Sequence, residues 1–366
     1  MRKGKTAMKL LGATSLGMGL VIILFLSSES QVHRNNAFIR RYPPHPVIKQ
    51  YDLDLGFNSY YFAGFDQNIL YLGNYLAPWH VLEINLNTKD TFHIKLVPTN
   101  KKLQFRSLMV KVKPPYFFIM DGTVPFILRG KIGEWKAFPW MEEEAFFTKA
   151  LPLDSNKIYV RTQSASTQKS TLGIIKKTSE FQVLLDTTIL QQQVDGIFDV
   201  DGIMVKSPDG QHTGYVYYYR NEFMLMDSEL GQLNRQRTID TVQSAQIQVA
   251  KENRKGMVQM KSPSLLVNKA ACLSEDLMLI ESDRLGKNDN LDGLEQSTII
   301  DVYNHKKRTY EFSLHLDHIK KEKVKEFSLY HGQLMALIGN QLSVYKTVDH
   351  YFKKENNTHV KNTTGQ

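Results

Sequence analysis

Three aspartates in one short stretch of this sequence form its best candidate for a carboxylate site. Asp195, Asp199 and Asp201 lie within seven positions, and a glycine follows the first and the last of them. Because side chains alternate along a β-strand, Asp199 and Asp201 would point to the same face. Such a pair beside a channel could bind a cation or act as a general acid and base. Asp-Gly dipeptides also form turns, and the turn interpretation is favoured.

An aromatic run that ends in arginine forms a second candidate site. Tyr217 and Tyr219 would share one strand face and could line a groove for a ligand or a peptide, although such stripes more often serve packing. Arg220 follows them, and Arg129 and Arg161 occur at similar places in neighbouring strand units. If these arginines meet at one rim, they could bind carboxylate or phosphate groups. The default interpretation is that they are solvated turn residues.

The remaining motifs do not define a metal or nucleophile site. Residues 288–293 match the start of a calcium loop, but Ile299 occupies the position that requires an acidic ligand. His315 and His318 would suit a metal only on a helix, whereas their region resembles a strand end. Cys272 is the only cysteine and lies in an apolar run, which predicts a buried structural thiol. No cofactor is expected, and a divalent cation in a central channel is left open.

A short apolar strand, a polar turn and a second strand recur along the chain. Intervals between equivalent residues are 44, 46, 51, 77 and 42, and four of them are close to the blade length of β-propellers, about 40–50 residues. The interval of 77 residues indicates an insertion at about residues 240–262. The equivalent residues of the six copies are Ile84, Leu128, Ile174, Leu225, Val302 and Val344.

Two further strand candidates precede each copy, such as residues 60–65 and 69–72 before the first. Four strands per repeat and six repeats predict an all-β, six-bladed β-propeller over residues 47–348, with an N-terminal signal or anchor helix. Residues 47–55 are predicted to form the outer strand of the last blade, because ring closure removes an open sheet edge. Two β-sandwiches would explain the strands but not the near-constant period.

The repeated units, together with the segment at residues 116–125, resemble the TolB-like and NHL-like six-bladed β-propellers of the Bacteroidota cell envelope. The resemblance covers about residues 47–348 and is architectural, because no catalytic motif carries it. Propellers serve as enzymes, as ligand sensors and as scaffolds for partner proteins, so the resemblance implies a fold and not an activity.

Residues 1–30 are predicted to be a signal peptide or a signal anchor. Four basic residues precede an apolar run at residues 10–26, which is at the short limit for a membrane-spanning helix. Small residues near Ser28 would also permit cleavage. The body would then lie in the cell envelope, in the periplasm or another extracytoplasmic space. Residues 31–46 are predicted to be an extended tether, and residues 349–366 a disordered tail.

The distribution of charge argues against nucleic-acid binding. The formal net charge is +9, but residues 1–41 hold seven basic side chains and one acidic side chain. The remainder has 39 basic and 36 acidic residues and is therefore nearly balanced. The basic excess belongs to targeting, and a footprint for phosphates is not evident in the body.

Three functions fit these patterns. The first is an exported binding or scaffold module for an envelope protein partner, for which the insertion at residues 240–262 could be the contact loop. The second is a metal-dependent lactonase-like or lyase-like enzyme, in which Asp199, Asp201 and Asn268 would converge on the propeller axis. The third is a periplasmic sensor that binds a small polar ligand through its arginines. The scaffold hypothesis is favoured because no catalytic signature is present.

Overall fold

The structure, a computed structural model, describes residues 2–35, 37–100, 102–251 and 258–352. A helix, α1 (Arg2–His33), precedes a six-bladed β-propeller, which confirms the predicted fold class. Each blade is built on a four-stranded antiparallel sheet. In the first five blades these strands follow one another from the propeller axis outward, whereas the outermost strand of the sixth is residues 47–54. In the second blade a short fifth strand pairs with the outer edge.

The strands are numbered along the chain and grouped here by blade. The strand β1 (Val47–Asp54) precedes the first blade. Blade 1 contains β2 (Tyr60–Asp66), β3 (Ile69–Asn74), β4 (His80–Asn85) and β5 (Thr91–Lys95). Blade 2 contains β6 (Val97–Pro98), β7 (Met109–Lys113), β8 (Tyr116–Asp121), β9 (Phe126–Lys131) and β10 (Lys136–Glu142). Blade 3 contains β11 (Lys149–Pro152), β12 (Lys157–Gln163), β13 (Ser170–Lys177) and β14 (Phe181–Asp186).

The second half of the ring follows the same order. Blade 4 contains β15 (Gly202–Lys206), β16 (His212–Tyr217), β17 (Glu222–Asp227) and β18 (Asn234–Arg237). The hairpin β19 (Val249–Lys251) and β20 (Val258–Met260) comes next. Blade 5 contains β21 (Asn268–Ser274), β22 (Leu277–Ser282), helix α2 (Leu291–Gln296), β23 (Ser297–Asn304) and β24 (Thr309–Asp317). Blade 6 contains β25 (Val324–Tyr330), β26 (Gln333–Ile338) and β27 (Gln341–Thr347), and helix α3 (Asp349–Phe352) follows.

The sequence repeat corresponds to the third strand of every blade. All six equivalent residues are buried, because both faces of a blade pack against neighbouring blades. Six hydrophobic clusters of the described residues each join two adjacent blades, and together they close the ring. The strands therefore read as continuous apolar runs rather than as an alternation of apolar and polar residues.

The first strand of the propeller closes the last blade. β1 pairs antiparallel with β27 from Val47 opposite Thr347 to Asp54 opposite Gln341. Ser343 also donates a hydrogen bond of 2.6 Å to the Asp52 carboxylate. The predicted closure by residues 47–55 is confirmed. The outer edge of blade 6 is thus covered by chain from the other end of the propeller, which leaves β27 without a free edge.

The long interval in the repeat lies between blade 4 and blade 5. The hairpin of β19 and β20 is in this connection, and the part of the predicted insertion at residues 252–257 lies outside the described residues. The start of the connection packs on blade 4, since Asn221 donates its backbone N–H to Val242 and Ala245 donates its own to the Gln193 side chain.

The chain between α1 and β1 contacts blade 5. Arg40 is buried there, and its guanidinium donates to both carboxylate oxygens of Asp301, at 2.7 and 3.1 Å, and to Asp289. The predicted tether at residues 31–46 therefore differs from a free linker, because an ion-paired arginine holds its second half on the propeller. In α1, apolar side chains such as Leu16 and Leu20 are exposed. Across the described residues, no helix has both the length and the apolar character that a membrane crossing requires.

The end of blade 6 leads into the short helix α3. Its Tyr351 and Phe352 pack against Phe312 of blade 5 at ring-centroid distances of 5.8 and 5.4 Å. The first four residues of the predicted disordered tail, 349–352, are thus ordered by aromatic packing. Residues 353–366 of that tail lie outside the described residues.

Candidate functional site

Asp199 does not face the propeller axis as a ligand. Its carboxylate is buried and accepts the backbone N–H groups of Gln193, Val194 at 2.9 Å and Gly196 at 2.6 Å. Burial acts to raise the pKa of Asp199, but hydrogen bonds from Asp195 and from these backbone groups outweigh it and lower the pKa. The carboxylate therefore organises the loop before β15, in agreement with the turn interpretation of this cluster.

An Asp199→Ala variant should lose about 1–3 kcal/mol of folding free energy, because three backbone N–H groups would lose the buried carboxylate that accepts their hydrogen bonds. Urea unfolding followed by circular dichroism measures this loss. Asp195→Ala is the control variant, because Asp195 lies in the same loop and its side chain is less buried than that of Asp199. Equal stabilities of the Asp199→Ala protein and the unmodified protein would show that the loop does not depend on this carboxylate.

The other candidates in this region contact one another rather than a ligand cavity. Arg161 donates to the Asp201 carboxylate and, at 3.3 Å, to the Tyr215 hydroxyl. The Arg220 guanidinium is buried and lies 3.5 Å from the ring centroid of Tyr217. Asn268 donates its amide to the carbonyl groups of Tyr217, at 2.7 Å, and Arg220, at 2.9 Å. These side chains hold the connections among blades 3, 4 and 5 together.

The predicted arginine rim does not form. Arg161 and Arg220 lie at the face that carries the turns between second and third strands. Arg129, near the end of β9, lies at the opposite face. Its guanidinium donates to the Ser155 carbonyl at 2.6 Å and lies over the Tyr116 ring. Tyr219 also does not share a strand face with Tyr217, because β16 ends at Tyr217. The strand direction alternates within a blade, and this separates residues that looked equivalent in sequence.

The weaker motifs have structural partners. Asp289 of the calcium-like stretch pairs with Arg40 and accepts the Gly286 N–H at 2.7 Å. His315 bonds the Ser297 hydroxyl at 2.7 Å, and His318 bonds that of Thr298 at 3.1 Å. Among the residues that the structure describes, no group of three or more His, Cys, Asp or Glu side chains could hold a metal ion. Burial raises the pKa of the Cys272 thiol to about 12, so the thiol is not activated.

A cavity with a volume of about 1740 Å³ lies around the propeller axis. It is lined by the last residues of the inner strands and by the turns that lead from them to the second strands, and it extends outward along blades 5 and 6 to Glu311 of β24 and to α3. This is the face opposite Arg161 and Arg220. Asp199, Asp201 and Asn268 are not among its lining residues, so the convergence that the enzyme hypothesis requires is not observed at this cavity.

Three lysines from inner strands lie on one side of the cavity. Lys111 and Lys113 belong to β7 of blade 2, and Lys206 is the last residue of β15 in blade 4. Lys111 donates to the Phe62 carbonyl at 2.6 Å, next to the Glu326 carboxylate, which accepts the Phe62 N–H at 3.0 Å. Lys113 donates to the carbonyl of Pro208 at 2.8 Å and to that of Asp209 at 2.9 Å.

A short inner strand in blade 3 brings blades 2 and 4 together. β11 has four residues, fewer than the inner strand of any other blade. The turn after β15 leans over blade 3, where Gly210 has a φ of +81° and a Cβ would lie 2.2 Å from the Leu153 carbonyl oxygen. Only glycine fits this position. The turn therefore reaches Lys113, and Lys206 is held near both lysines of β7.

The electrostatics of this lysine cluster, defined as Lys111, Lys113 and Lys206, favour an anion. Burial is the main cause that lowers the pKa of Lys206, to about 7, and the charges of Lys113 and Lys111 lower it further. Burial likewise lowers the pKa of the other two lysines. Asp209 opposes these effects, but its carboxylate already accepts from the Ser207 hydroxyl and from the Gln211 N–H at 2.9 Å. Most other cavity carboxylates belong to blades 1, 5 and 6.

Sequence reasoning did not identify this cluster, because Lys206 is more than ninety positions from Lys111 and Lys113 and each looks like an ordinary strand lysine. A usable signal is nevertheless present. Once the third strands are aligned, the inner strand of each blade is defined, and a lysine occurs in five of the six. These lysines are Lys111 and Lys113 in β7, Lys149 in β11, Lys206 in β15, Lys269 in β21 and Lys325 in β25.

Several solved structures are similar to this chain in fold. A propeller in a nidogen/laminin complex has a TM-score of 0.41 and 9% identity, and the match covers 70% of this chain and 79% of that one. The β-propeller domain of Myceliophteria thermophila Cps50 (Swd1) has a TM-score of 0.45 and 7% identity, and the match covers 83% of this chain and 100% of that one. A luciferin-regenerating enzyme has a TM-score of 0.46 and 8% identity, and the match covers 81% of this chain and 95% of that one. No protein-family model matches the sequence, and no curated protein matches it either.

Proposed function

We propose that this protein is a binding module that takes up a small anionic ligand in the central cavity of its propeller. β-Propellers commonly act in binding, and the cavity is large enough for a metabolite-sized molecule, since typical ligand pockets measure about 300–1,000 Å³. The lysine cluster would contact the carboxylate or phosphate groups of the ligand, and the apolar inner-strand residues beside it would contact the remainder.

The observation that carries this proposal is the amine of Lys206. Within the described part of the chain, Lys206 makes no hydrogen bond or ion pair, although it lines the cavity beside two other lysines. Bringing cations together and away from water costs free energy unless an anion compensates them. A bound carboxylate or phosphate would provide that compensation. An anion therefore fits this side of the cavity better than a neutral or cationic ligand.

Location in the cell envelope remains part of the proposal. It is supported by the basic residues that precede the apolar segment of α1 and by the exposed apolar side chains of that segment. A small ligand is preferred to a protein partner as the primary target because the unpaired cation lies inside the cavity rather than on an outer surface. The module would thus act as an extracytoplasmic ligand-binding protein.

Titration with succinate tests the proposal, since both carboxylates of succinate stay ionised near neutral pH. Calorimetry should show saturable binding, and a Lys113→Met/Lys206→Met variant should lose at least about tenfold in affinity, because hydrogen bonds to charged groups contribute about 1.5–3 kcal/mol each. Affinity should also fall between about pH 6 and about pH 8.5, because Lys206, with a pKa of about 7, loses its charge in that range.

The matched control is Lys95→Met/Lys136→Met, which removes two exposed lysines from the outer strands β5 and β10. It changes the net charge equally but leaves the cavity intact, so it should bind succinate like the unmodified protein. The groups that face Lys206 are Lys111, Lys113 and Asp209. The pKa of each is lowered, so on raising the pH the two lysines can only lose positive charge and Asp209 stays ionised. None of them would make the affinity for succinate rise with pH. Similar affinity loss in both double variants would contradict the proposal.

A further inference from the structure

We infer that Lys206 is an amine nucleophile that forms a Schiff base with the aldehyde or ketone carbon of the anionic ligand. This inference rests on the proposed function, because the lysine cluster must first hold the anion. It specifies the class of ligand as a carbonyl compound that carries a carboxylate or phosphate group, such as a 2-oxo acid or a phosphorylated aldehyde.

The geometry distinguishes Lys206 from its neighbours. Lys111 and Lys113 donate their amines to backbone carbonyls, which fixes them in place. Lys206 lines the same cavity and, among the described residues, has no carbonyl or carboxylate partner. Its nitrogen lone pair is therefore not shielded by a permanent salt bridge. Two lysines anchor the anion, and the third is left to react with a carbon atom next to it.

The surroundings also favour the uncharged form of this amine. A lysine becomes nucleophilic near neutral pH when it is desolvated or placed beside another cation. Lys206 is half-buried in the wall of the cavity and faces Lys111 and Lys113 from β7, so the second condition holds and the first holds in part. The opposing groups are Asp209, and further away Glu326 beside Lys111 and Asp154 beside Lys113. The resulting pKa of about 7 leaves much of the amine neutral at physiological pH.

The reaction needs no oxidant, reductant or metal ion. The Nζ lone pair of Lys206 attacks the carbonyl carbon, and the C=O π electrons move to oxygen, which takes up a proton. Nitrogen loses one proton, and the resulting carbinolamine expels its hydroxyl group as water. A C=N bond to Lys206 replaces the C=O bond, and one water molecule is released. The cavity opens at the face of the turns, so water and protons can exchange with solvent.

Reductive trapping with glyoxylate tests this inference. Glyoxylate is an aldehyde with a carboxylate, and cyanoborohydride reduces its imine to a stable carboxymethyl-lysine that peptide mass spectrometry locates. In the full-length protein at about pH 7.5, Lys206 should be modified at least about tenfold faster than exposed lysines such as Lys95. The rate should rise as the pH increases through about 7, because the amine is then deprotonated.

Three comparisons decide the outcome. Lys206→Arg keeps the positive charge, so it should bind succinate but lose the fast modification. Acetaldehyde, which has no anionic group to bind Lys111 and Lys113, should show a weaker preference for Lys206 than glyoxylate does. Succinate should protect Lys206 in the unmodified protein, a measurement that holds even where the variant does not fold. Saturable succinate binding without preferential trapping at Lys206 would overturn the Schiff base and leave the proposed function intact. Absence of both binding and trapping would overturn both.

Discussion

An Arg40→Met variant is expected to lose about 3–5 kcal/mol of folding free energy, because it leaves two buried carboxylates without their cation. Arg40 is 6% exposed and bonds Asp301 through two nitrogens, while a third interaction reaches Asp289. Its guanidinium also donates to the Arg284 carbonyl at 2.8 Å. The carboxylates raise the pKa of Arg40 against the effect of its burial, so the arginine remains charged at every accessible pH.

Urea unfolding of the full-length protein, followed by circular dichroism, measures this effect. Arg41→Met is the matched control, since the neighbouring Arg41 is exposed and donates to the Tyr310 carbonyl. A surface interaction of that kind contributes about 1 kcal/mol or less. Adding Asp301→Asn to Arg40→Met should recover part of the loss, because one buried charge is removed. A loss in Arg40→Met no greater than in Arg41→Met would show that the clamp on blade 5 contributes nothing.

This clamp illustrates one limit of the sequence analysis. A stretch with Arg40, Arg41 and three prolines has the composition of an extended linker, and residues 37–46 form neither helix nor strand in the structure. Its attachment depends on Asp289 and Asp301, which are about 250 positions away in sequence. Composition describes the local conformation of a segment, but it does not contain the partner that a distant loop provides.

The propeller itself was predictable because its repeat is a local pattern. Residues such as Ile84 and Val302 sit in the third strand of their blades, where both sheet faces are buried and the apolar run is therefore dense. The outermost strands were harder to recognise, because their side chains are partly exposed, as in β5 and β14. Turn residues such as Asn85 and Asn304 accept backbone N–H groups just after the third strand and mark its end.

The residues of the candidate site could not be predicted from a local pattern in the same way. Asp199, Arg161 and Arg220 were chosen because carboxylates and guanidinium groups often bind ligands, yet buried partners already engage them. Lys206 and Lys113 looked unremarkable because a strand lysine is usually solvated. Their importance comes from where the inner strands end and from how the turn at Gly210 crosses blade 3. Position in the ring, and not residue type, therefore separates the structural polar residues from those that face the cavity.

Ring closure gives the second large effect. A chain that starts at residue 56 lacks β1 and leaves the outer edge of β27 unpaired, so we expect it to lose at least about 5 kcal/mol, at about 1 kcal/mol for each backbone hydrogen bond of the ladder. Such a loss is comparable to the total stability of many domains, about 5–15 kcal/mol. The exposed edge should also promote aggregation.

Truncations separate this effect from that of the Arg40 clamp. A chain starting at residue 34 keeps both the clamp and β1, and it should unfold at the same urea concentration as the full-length protein. A chain starting at residue 46 keeps β1 but lacks Arg40 and the other contacts that residues 34–45 make with the propeller, so its stability should lie below that of the Arg40→Met variant. Only the chain starting at residue 56 should lose the cooperative transition. If the chains starting at 46 and 56 unfolded alike, the N-terminal contribution would come from the clamp, and pairing of β1 with β27 would not be what holds the six blades in a closed ring.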